Sequence, residues 1–377
     1  MNSEIREFQV FVKPIGARCN LSCSYCYYLD KRHLNTGFSA GCMNDEVLEL
    51  YIRQHIEASA GKNIFFSWHG GEPTLAGPGF YRRAVDIQKR YKPSGCTILN
   101  GIQTNATLLT EEWGKFLKQE NFIVGISLDG PERYHNLNRR DNNDNLTFQK
   151  VISGLDIIRK YQIPFEILTV ISDANVHAPL ELYHFLKETG AAYITFLPLV
   201  EKVGAGNQAA SSLSVRPSDF GKFLAAVFDE WLEKDIGTVK VQIFEEALRT
   251  AFSQEHTLCI FKPVCGGVPV VEMNGDFYSC DHYVNSDNRI GNIGDISLAD
   301  MLDDPRQKAF GQNKRTTLPR HCLECEVLSM CNGECPKNRF VTAPTGEEGL
   351  NYLCEGYRHF FNHCRPFIDE VARVWKM

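Results

Sequence analysis

Cys19-Asn20-Leu21-Ser22-Cys23-Ser24-Tyr25-Cys26-Tyr27-Tyr28 is the stretch on which the reading of this chain turns. Its cysteines are spaced C-x3-C-x2-C and follow a β-rich run, Phe8 to Val12, that stops at Lys13-Pro14. Three thiolates in one loop can hold a cubane four-iron cluster and leave one iron without a protein ligand, because four cysteines are the usual complement. An open iron is useful where a cofactor or substrate binds it. A zinc site completed by Cys42 or a histidine would ordinarily pair two C-x2-C hairpins or add nearby histidines, and this spacing fits that poorly.

Outward from the cysteine loop, β-rich runs alternate with helical ones. Asn44 to Ala58 carries Val47, Leu48, Tyr51, Ile52 and His55 along one side, the spacing of a helix. Asn63 to Trp68, Thr97 to Gln103, Phe122 to Leu128, Phe165 to Ile171 and Tyr193 to Leu197 read as strands, separated by the helical patterns Pro78–Tyr91, a run opening at Thr110, Phe148–Tyr161 and Ala178–Glu188. About six βα units with parallel strands imply an α/β barrel or part of one. Chemistry then belongs at the C-terminal strand ends. There stand the cysteine loop, Gly70–Pro73, Thr104-Asn105, and Ser127 with Asp129. Pro217 to Lys234 is a further helix. From about Glu255 cysteine, glycine and proline crowd in, and helical periodicity is expected again only near Tyr352 to Trp375. The chain therefore divides into a first domain over 1–240 and a small cysteine-rich one over 241–377.

Composition narrows the function class. The 377 residues are 43% hydrophobic and 23% charged, with a formal net charge of -6. That is a globular composition, without the basic footprint of a nucleic-acid binder. The N-terminus lacks a basic segment followed by an apolar run, and no stretch approaches the ~18 apolar residues of a membrane span. The expectation is a cytoplasmic protein with no membrane and no nucleic-acid partner. Fourteen cysteines in a reducing compartment read as metal ligands or catalytic groups rather than disulfides.

The triad, with Tyr25 just before its last ligand, resembles the signature of the radical SAM superfamily. There the amino and carboxylate groups of S-adenosylmethionine (SAM) chelate the open iron, and reductive cleavage yields a 5′-deoxyadenosyl radical. The resemblance makes the first domain a partial (β/α)6 TIM-like barrel. Trp68–Pro73, WHGGEP, is similar to the family's GGEP motif at the methionine end of SAM, which assigns Gly71 to cofactor binding. SLDGP, from Ser127 to Pro131, is similar to the ribose-contacting segment and assigns Ser127. Arg139 would pair with the SAM carboxylate, and Val200, after the sixth strand, would touch adenine.

The remaining cysteines fall into Cys259-x5-Cys265-x14-Cys280 and Cys322-x2-Cys325-x5-Cys331-x3-Cys335-x18-Cys354. Eight thiolates suffice for two fully ligated four-iron clusters. The pattern resembles the SPASM domain, which carries two auxiliary clusters. The resemblance implies that Cys259, Cys265, Cys280 and Cys335 hold one and that Cys322, Cys325, Cys331 and Cys354 hold the other, giving three [4Fe-4S] clusters with the Cys19, Cys23 and Cys26 site. The crossed place of Cys335 comes from the family and would not follow from spacing. Zinc ribbons are the competing reading. Cys42 and Cys96 are read as unligated thiols, and Cys364 as the residue able to displace Cys354.

CNLSCSYCYYL, HGGEPTLAG, QTNATLLTEEW, VGISLDGP with HNLNR, and SCDHYV followed by RIGNIGD together resemble the anaerobic sulfatase-maturating enzymes. That family oxidises a cysteine or serine of a sulfatase to Cα-formylglycine. The resemblance implies a sulfatase polypeptide as substrate, a reductant such as flavodoxin or ferredoxin, and Asp281, directly after Cys280, as the base. An auxiliary cluster would take or relay the remaining electron. Tyr28 would line the substrate channel, while His69, His282 and Tyr283 read as packing or polar neighbours. The alternatives are a SPASM enzyme that modifies a ribosomal peptide, disfavoured by the 18 residues before Cys19, and an electron carrier or zinc scaffold, which would need no SAM pocket.

Overall fold

The computed structural model describes residues 8–31, 41–204 and 209–375. The first seven residues, where a targeting signal would begin, lie outside these. Two compact units divide the chain: Met1–Ser127, Asn136–Phe165 and Gly266–Gly311 form one, and Leu128–His135, Glu166–Cys265 and Gln312–Met377 form the other.

In chain order the first half contains β1 (Phe11–Val12), α1 (Asp45–Ala58), β2 (Asn63–Trp68), α2 (Gly77–Tyr91), β3 (Thr97–Thr104), α3 (Glu111–Gln119), β4 (Ile123–Ser127), α4 (Glu132–Asn138) and α5 (Phe148–Lys160). It continues through β5 (Phe165–Ile171), α6 (Pro179–Glu188), β6 (Tyr193–Pro198) and α7 (Pro217–Lys234). Next come β7 (Lys240–Val241), α8 (Gln242–Ala251), β8 (Val270–Val271), β9 (Asp276–Tyr278), β10 (Arg289–Asn292), α9 (Leu298–Asp303) and α10 (Pro305–Thr316). The chain closes with α11 (Arg320–Leu323), α12 (Leu328–Cys331), β11 (Arg339–Val341), β12 (Leu350–Asn351) and α13 (Cys354–Trp375). The alternation of strand and helix is the expected α/β class.

In the first unit β1, β2, β3 and β4 pair in parallel and in sequence order. Helix α1 begins where Asn44 Oδ1 accepts from the Val47 N–H at 2.8 Å, a side-chain cap for an otherwise orphan donor. Its Leu48, Tyr51, Ile52 and His55 are buried, which is the face the periodicity predicts. The free edge of β1 takes β8 in parallel, Phe11 opposite Val270 and Val12 opposite Val271. Strands β9 and β10 then add antiparallel. A segment some 250 residues downstream of the cysteine loop is thereby registered beside it.

In the second unit β5, β6 and β7 are parallel neighbours. Helices α7 and α13 approach until a Cβ on Gly356 would lie 2.2 Å from the Pro217 carbonyl oxygen, a spacing only glycine permits. Phe244 meets Phe228 edge to face, stacks on Phe360 and packs at a tilt against Trp231. The structure adds α8, with Ile243, Phe244, Ala247 and Ala251 buried. It also corrects the expectation that no helix precedes Tyr352 after Glu255, because α9 and α10 lie there. Helix α10 escapes apolar periodicity because its buried positions are Gln307, Gly311 and Lys314.

Candidate active site

The cysteine loop is built by the turns that follow β2 and β3. Glu72, 1% exposed, accepts from the Thr74 N–H at 3.0 Å, the Thr74 hydroxyl at 2.6 Å, the Thr104 hydroxyl at 2.7 Å and the Asn105 N–H at 2.7 Å. One buried carboxylate thus ties the two strand ends together through charge-assisted bonds. Asn105 passes the connection on: its amide donates to Asn20 Oδ1 at 2.9 Å and to Cys19 Sγ at 3.8 Å. Gly71 donates its N–H to the Gly16 carbonyl and Glu72 to the Arg18 carbonyl, at 2.9 and 2.8 Å. A Cβ on Gly71 would stand 2.0 Å from the Arg18 oxygen, so glycine is what lets this turn lie on the cysteine loop.

The thiols of that loop act on one another. Burial, opposed in part by the Leu21 N–H, and then the charges of Glu72, Cys23 and Cys26 push the Cys19 thiol up to about 12. Three partly or fully buried sulfurs gathered in one loop are a donor set for a cation-rich cluster. Tyr25 is buried, and the Arg139 guanidinium lies 5.5 Å from its ring centroid. Ser127 accepts from the Gln103 amide at 3.1 Å at the end of β4.

Asp281 is brought to the end of β1 by the β1–β8 pairing. It is 7% exposed, and its Oδ1 lies 2.6 Å from Nζ of Lys13, which is 1% exposed. The Tyr27 hydroxyl donates to Asp281 Oδ2, and the Tyr28 hydroxyl to Glu272 Oε1. Burial by itself pushes the Asp281 carboxyl up, but the Lys13 ammonium, His282 and the bonds from Lys13 and Tyr27 outweigh it and hold the group at about 2. Asp281 is therefore a carboxylate at neutral pH. Lys13 Nζ also stands 4.4 Å from the Tyr28 ring centroid, a cation–π contact. His69 stacks on Phe11 at 3.9 Å, and burial with the nearby Lys13 holds it neutral, down at about 3. His282 packs against Tyr27, ring centroids 4.8 Å apart.

In the second unit Cys322, Cys325, Cys331 and Cys354 line one cavity together with His321, Gly333, Asn351 and Arg358. Burial first, and then the charges of its neighbours Cys322 and Cys325, push the Cys354 thiol up to about 12. Cys364 is fully buried, and its thiol faces the Phe361 carbonyl at 3.5 Å. Burial pushes the Cys259 thiol up, opposed by Lys314 and aided by the charge of Cys265. None of the fourteen cysteines is in a disulfide. A cavity walled by four thiols fits a four-iron cluster. Among the described residues no group of three or more His, Cys, Asp or Glu side chains is arranged to hold a single metal ion. Val200 is buried, its carbonyl accepting from Lys337 Nζ at 3.1 Å.

Comparison with known proteins agrees with this geometry. The Radical SAM superfamily profile matches residues 14–186, and that of SPASM, an iron–sulfur cluster-binding domain, matches 265–326. A serine-type anaerobic sulfatase-maturating enzyme of Bacteroides thetaiotaomicron is 41% identical over 97% of this chain and 91% of its own. The chain belongs to the anaerobic sulfatase-maturating enzymes. Within that family, a cysteine-type enzyme of Clostridium perfringens is 33% identical over 96% of this chain and 98% of its own. The solved structure of native anSMEcpe with bound AdoMet and Kp18Cys peptide superposes with a TM-score of 0.85 at 32% identity, covering 97% of this chain and 99% of that one.

For an anaerobic sulfatase-maturating enzyme, three residues around Asp281 were absent from the sequence reading: Lys13, Tyr27 and Glu272. Only Lys13 leaves a local signal, a lone charge closing an apolar strand. Tyr27 keeps 42% of its surface exposed while its hydroxyl end is packed against Asp281, so burial of the whole side chain is no guide to its contact.

Proposed function

We propose that this chain oxidises a serine or cysteine side chain of a sulfatase polypeptide to Cα-formylglycine, with Asp281 as the proton acceptor. Supporting this is the buried, ionised Asp281 one residue after Cys280, held by Lys13 and Tyr27. In this reading three [4Fe-4S] clusters are held by Cys19, Cys23 and Cys26, by Cys259, Cys265, Cys280 and Cys335, and by Cys322, Cys325, Cys331 and Cys354. When bound, SAM at the first cluster supplies a 5′-deoxyadenosyl radical that removes a hydrogen from the target Cβ. Tyr25, Gly71, Ser127 and Arg139 hold SAM from the first unit. The adenine contact at Val200 and the grouping of Cys280 with Cys259, Cys265 and Cys335 rest on the family resemblance.

Asp281 then takes the proton of the target hydroxyl or thiol. Its charge is fixed beforehand by Lys13, so no proton has to leave the site first. Tyr27, whose phenol burial pushes far above its usual range, stays protonated and orients Oδ2. An auxiliary cluster, when bound, would supply an acceptor for the electron left behind, and a flavodoxin- or ferredoxin-type carrier would supply the reducing equivalents. Among the described residues no helix is long and apolar enough to cross a membrane.

The test is anaerobic. The cluster-loaded chain is incubated with SAM, a strong reductant and two peptides that copy the modified segment of a sulfatase, one with serine and one with cysteine. Mass spectrometry should find formylglycine in at least one peptide together with 5′-deoxyadenosine. No 5′-deoxyadenosine from chain holding its full iron overturns the radical reading. 5′-Deoxyadenosine without formylglycine moves the reading to a different peptide. Asp281→Asn should cleave SAM yet leave the peptide unoxidised; a parental formylglycine yield removes Asp281 as the base.

A further inference from the structure

Three residues separate Cys331 from Cys335, and all three take left-handed backbone: Asn332 at φ +47°, Gly333 at +67° and Glu334 at +50°. Two of them carry side chains, which the left-handed region disfavours. Such a run persists where its surroundings hold it. One side chain holds it here. Arg339 donates through Nε to the Gly333 carbonyl at 2.8 Å and through Nη2 to the carbonyls of Asn332 and Glu334 at 3.0 and 3.2 Å. Its Nη1 reaches the Lys314 carbonyl at 2.5 Å. The fork thus takes every carbonyl of the bridge. It lies so close that a Cβ on Gly333 would stand 2.6 Å from Nη2.

The guanidinium also sits among thiols of both sets. The cysteines whose charge acts on it are Cys322, Cys331 and Cys335. Cys322 and Cys331 line the four-thiol cavity, and Cys335 belongs to the other proposed set. Lys314 is 1% exposed and donates to the Cys259 and Ile260 carbonyls at 2.7 and 2.6 Å, so its ammonium is fixed at the second set alone. The Glu334 carboxylate is turned to the amides of Asn338 and Asn351. Cluster potentials respond to nearby charge, hydrogen bonding and burial.

We infer that Arg339 is a positioning residue shared by the two auxiliary clusters: it fixes the Asn332–Glu334 bridge between their ligands and raises the potential of both. Lys314 does so for the Cys259 and Cys265 set only. The inference rests on the proposed two auxiliary clusters. A fixed cation favours the state with one more electron, so its loss lowers each potential, by roughly tenfold in the reduction equilibrium, or about 59 mV for a one-electron couple.

The experiment uses the full chain reconstituted anaerobically, with iron and sulfide counted and the auxiliary signals, those unaltered by adding SAM, titrated by electron paramagnetic resonance. Arg339→Gln should keep its iron and lower both auxiliary potentials, while Lys314→Met lowers one. Arg339→Lys, which retains the charge, should keep both near the parent's. Full iron with unchanged potentials in Arg339→Gln, or a shift in one cluster alone, overturns the inference. So does an Arg339→Lys chain whose potentials fall as far as those of Arg339→Gln. If Arg339→Gln loses iron, Arg339→Lys decides by the same criterion, and iron loss in both reduces Arg339 to a structural clamp and overturns the electrostatic role. A parent chain with iron for one cluster only overturns the three-cluster reading itself, a result separable from every failure at Arg339.

Discussion

Replacing Lys13 by methionine would leave Asp281 as a buried carboxylate without its cation. The side chain keeps its length, so the change is one of charge. In the parent the carboxyl is held from 3.8 down to about 2 although burial opposes this. A shift of nearly two units is roughly 2 kcal/mol, and that is the net after burial has been overcome. Removing one partner of a buried pair costs about 3–5 kcal/mol, and loss of the cation over the Tyr28 ring adds ~0.5–2 kcal/mol. We expect Lys13→Met to be destabilised by roughly 4–7 kcal/mol in unfolding of the cluster-loaded chain followed anaerobically. The double variant Lys13→Met/Asp281→Asn should be more stable than Lys13→Met alone, because the orphan charge is gone. Lys13→Met should still cleave SAM and yield less formylglycine per 5′-deoxyadenosine. A Lys13→Met chain within ~0.5 kcal/mol of the parent, or a double variant at the sum of the two singles, would refute the pairing as the source of the carboxylate's charge.

Other expectations follow from the same structure. Gly71→Ala places a methyl 2.0 Å from the Arg18 carbonyl; it should displace the cysteine loop, lower iron by one cluster's content and abolish SAM cleavage, and parental iron with parental cleavage would show that the turn can yield. His55 is buried against Phe66, which lowers it from 6.5 to about 3. The unfolded chain binds that proton between those values and the folded chain does not, so stability falls as pH drops below 6.5, by roughly 1 kcal/mol at pH 5.5. In His55→Phe the loss between pH 7 and 5.5 should be smaller by about 1 kcal/mol, and an unchanged slope would mean that folded His55 takes up the proton.

How far the sequence could be read depended on the range of the contacts involved. Helix α1 and the strands β2 and β5 stand at their expected bounds because periodicity and capping act within a few residues. The glycine turn after β2 was legible too, since close backbone approach leaves a glycine in place. Helix α10 was not, because its buried face is Gln307, Gly311 and Lys314, of which Gln307 and Lys314 donate to backbone carbonyls rather than join an apolar core. Glu272 carried no signal at all; only its place after β8 puts it beside Tyr28.

By itself, then, the sequence determined the α/β class, the cysteine-rich C-terminal region and the chemistry of the cysteine loop, because Cys19, Cys23 and Cys26 stand close along the chain and their spacing is written in the residues. Tertiary structure alone decided that Lys13 meets Asp281 and that Arg339 holds the bridge from Cys331 to Cys335. The first depends on β1 pairing with β8, a register between distant segments that no local pattern encodes. The second depends on a guanidinium finding backbone carbonyls, which every residue offers and which therefore leave no mark in a sequence.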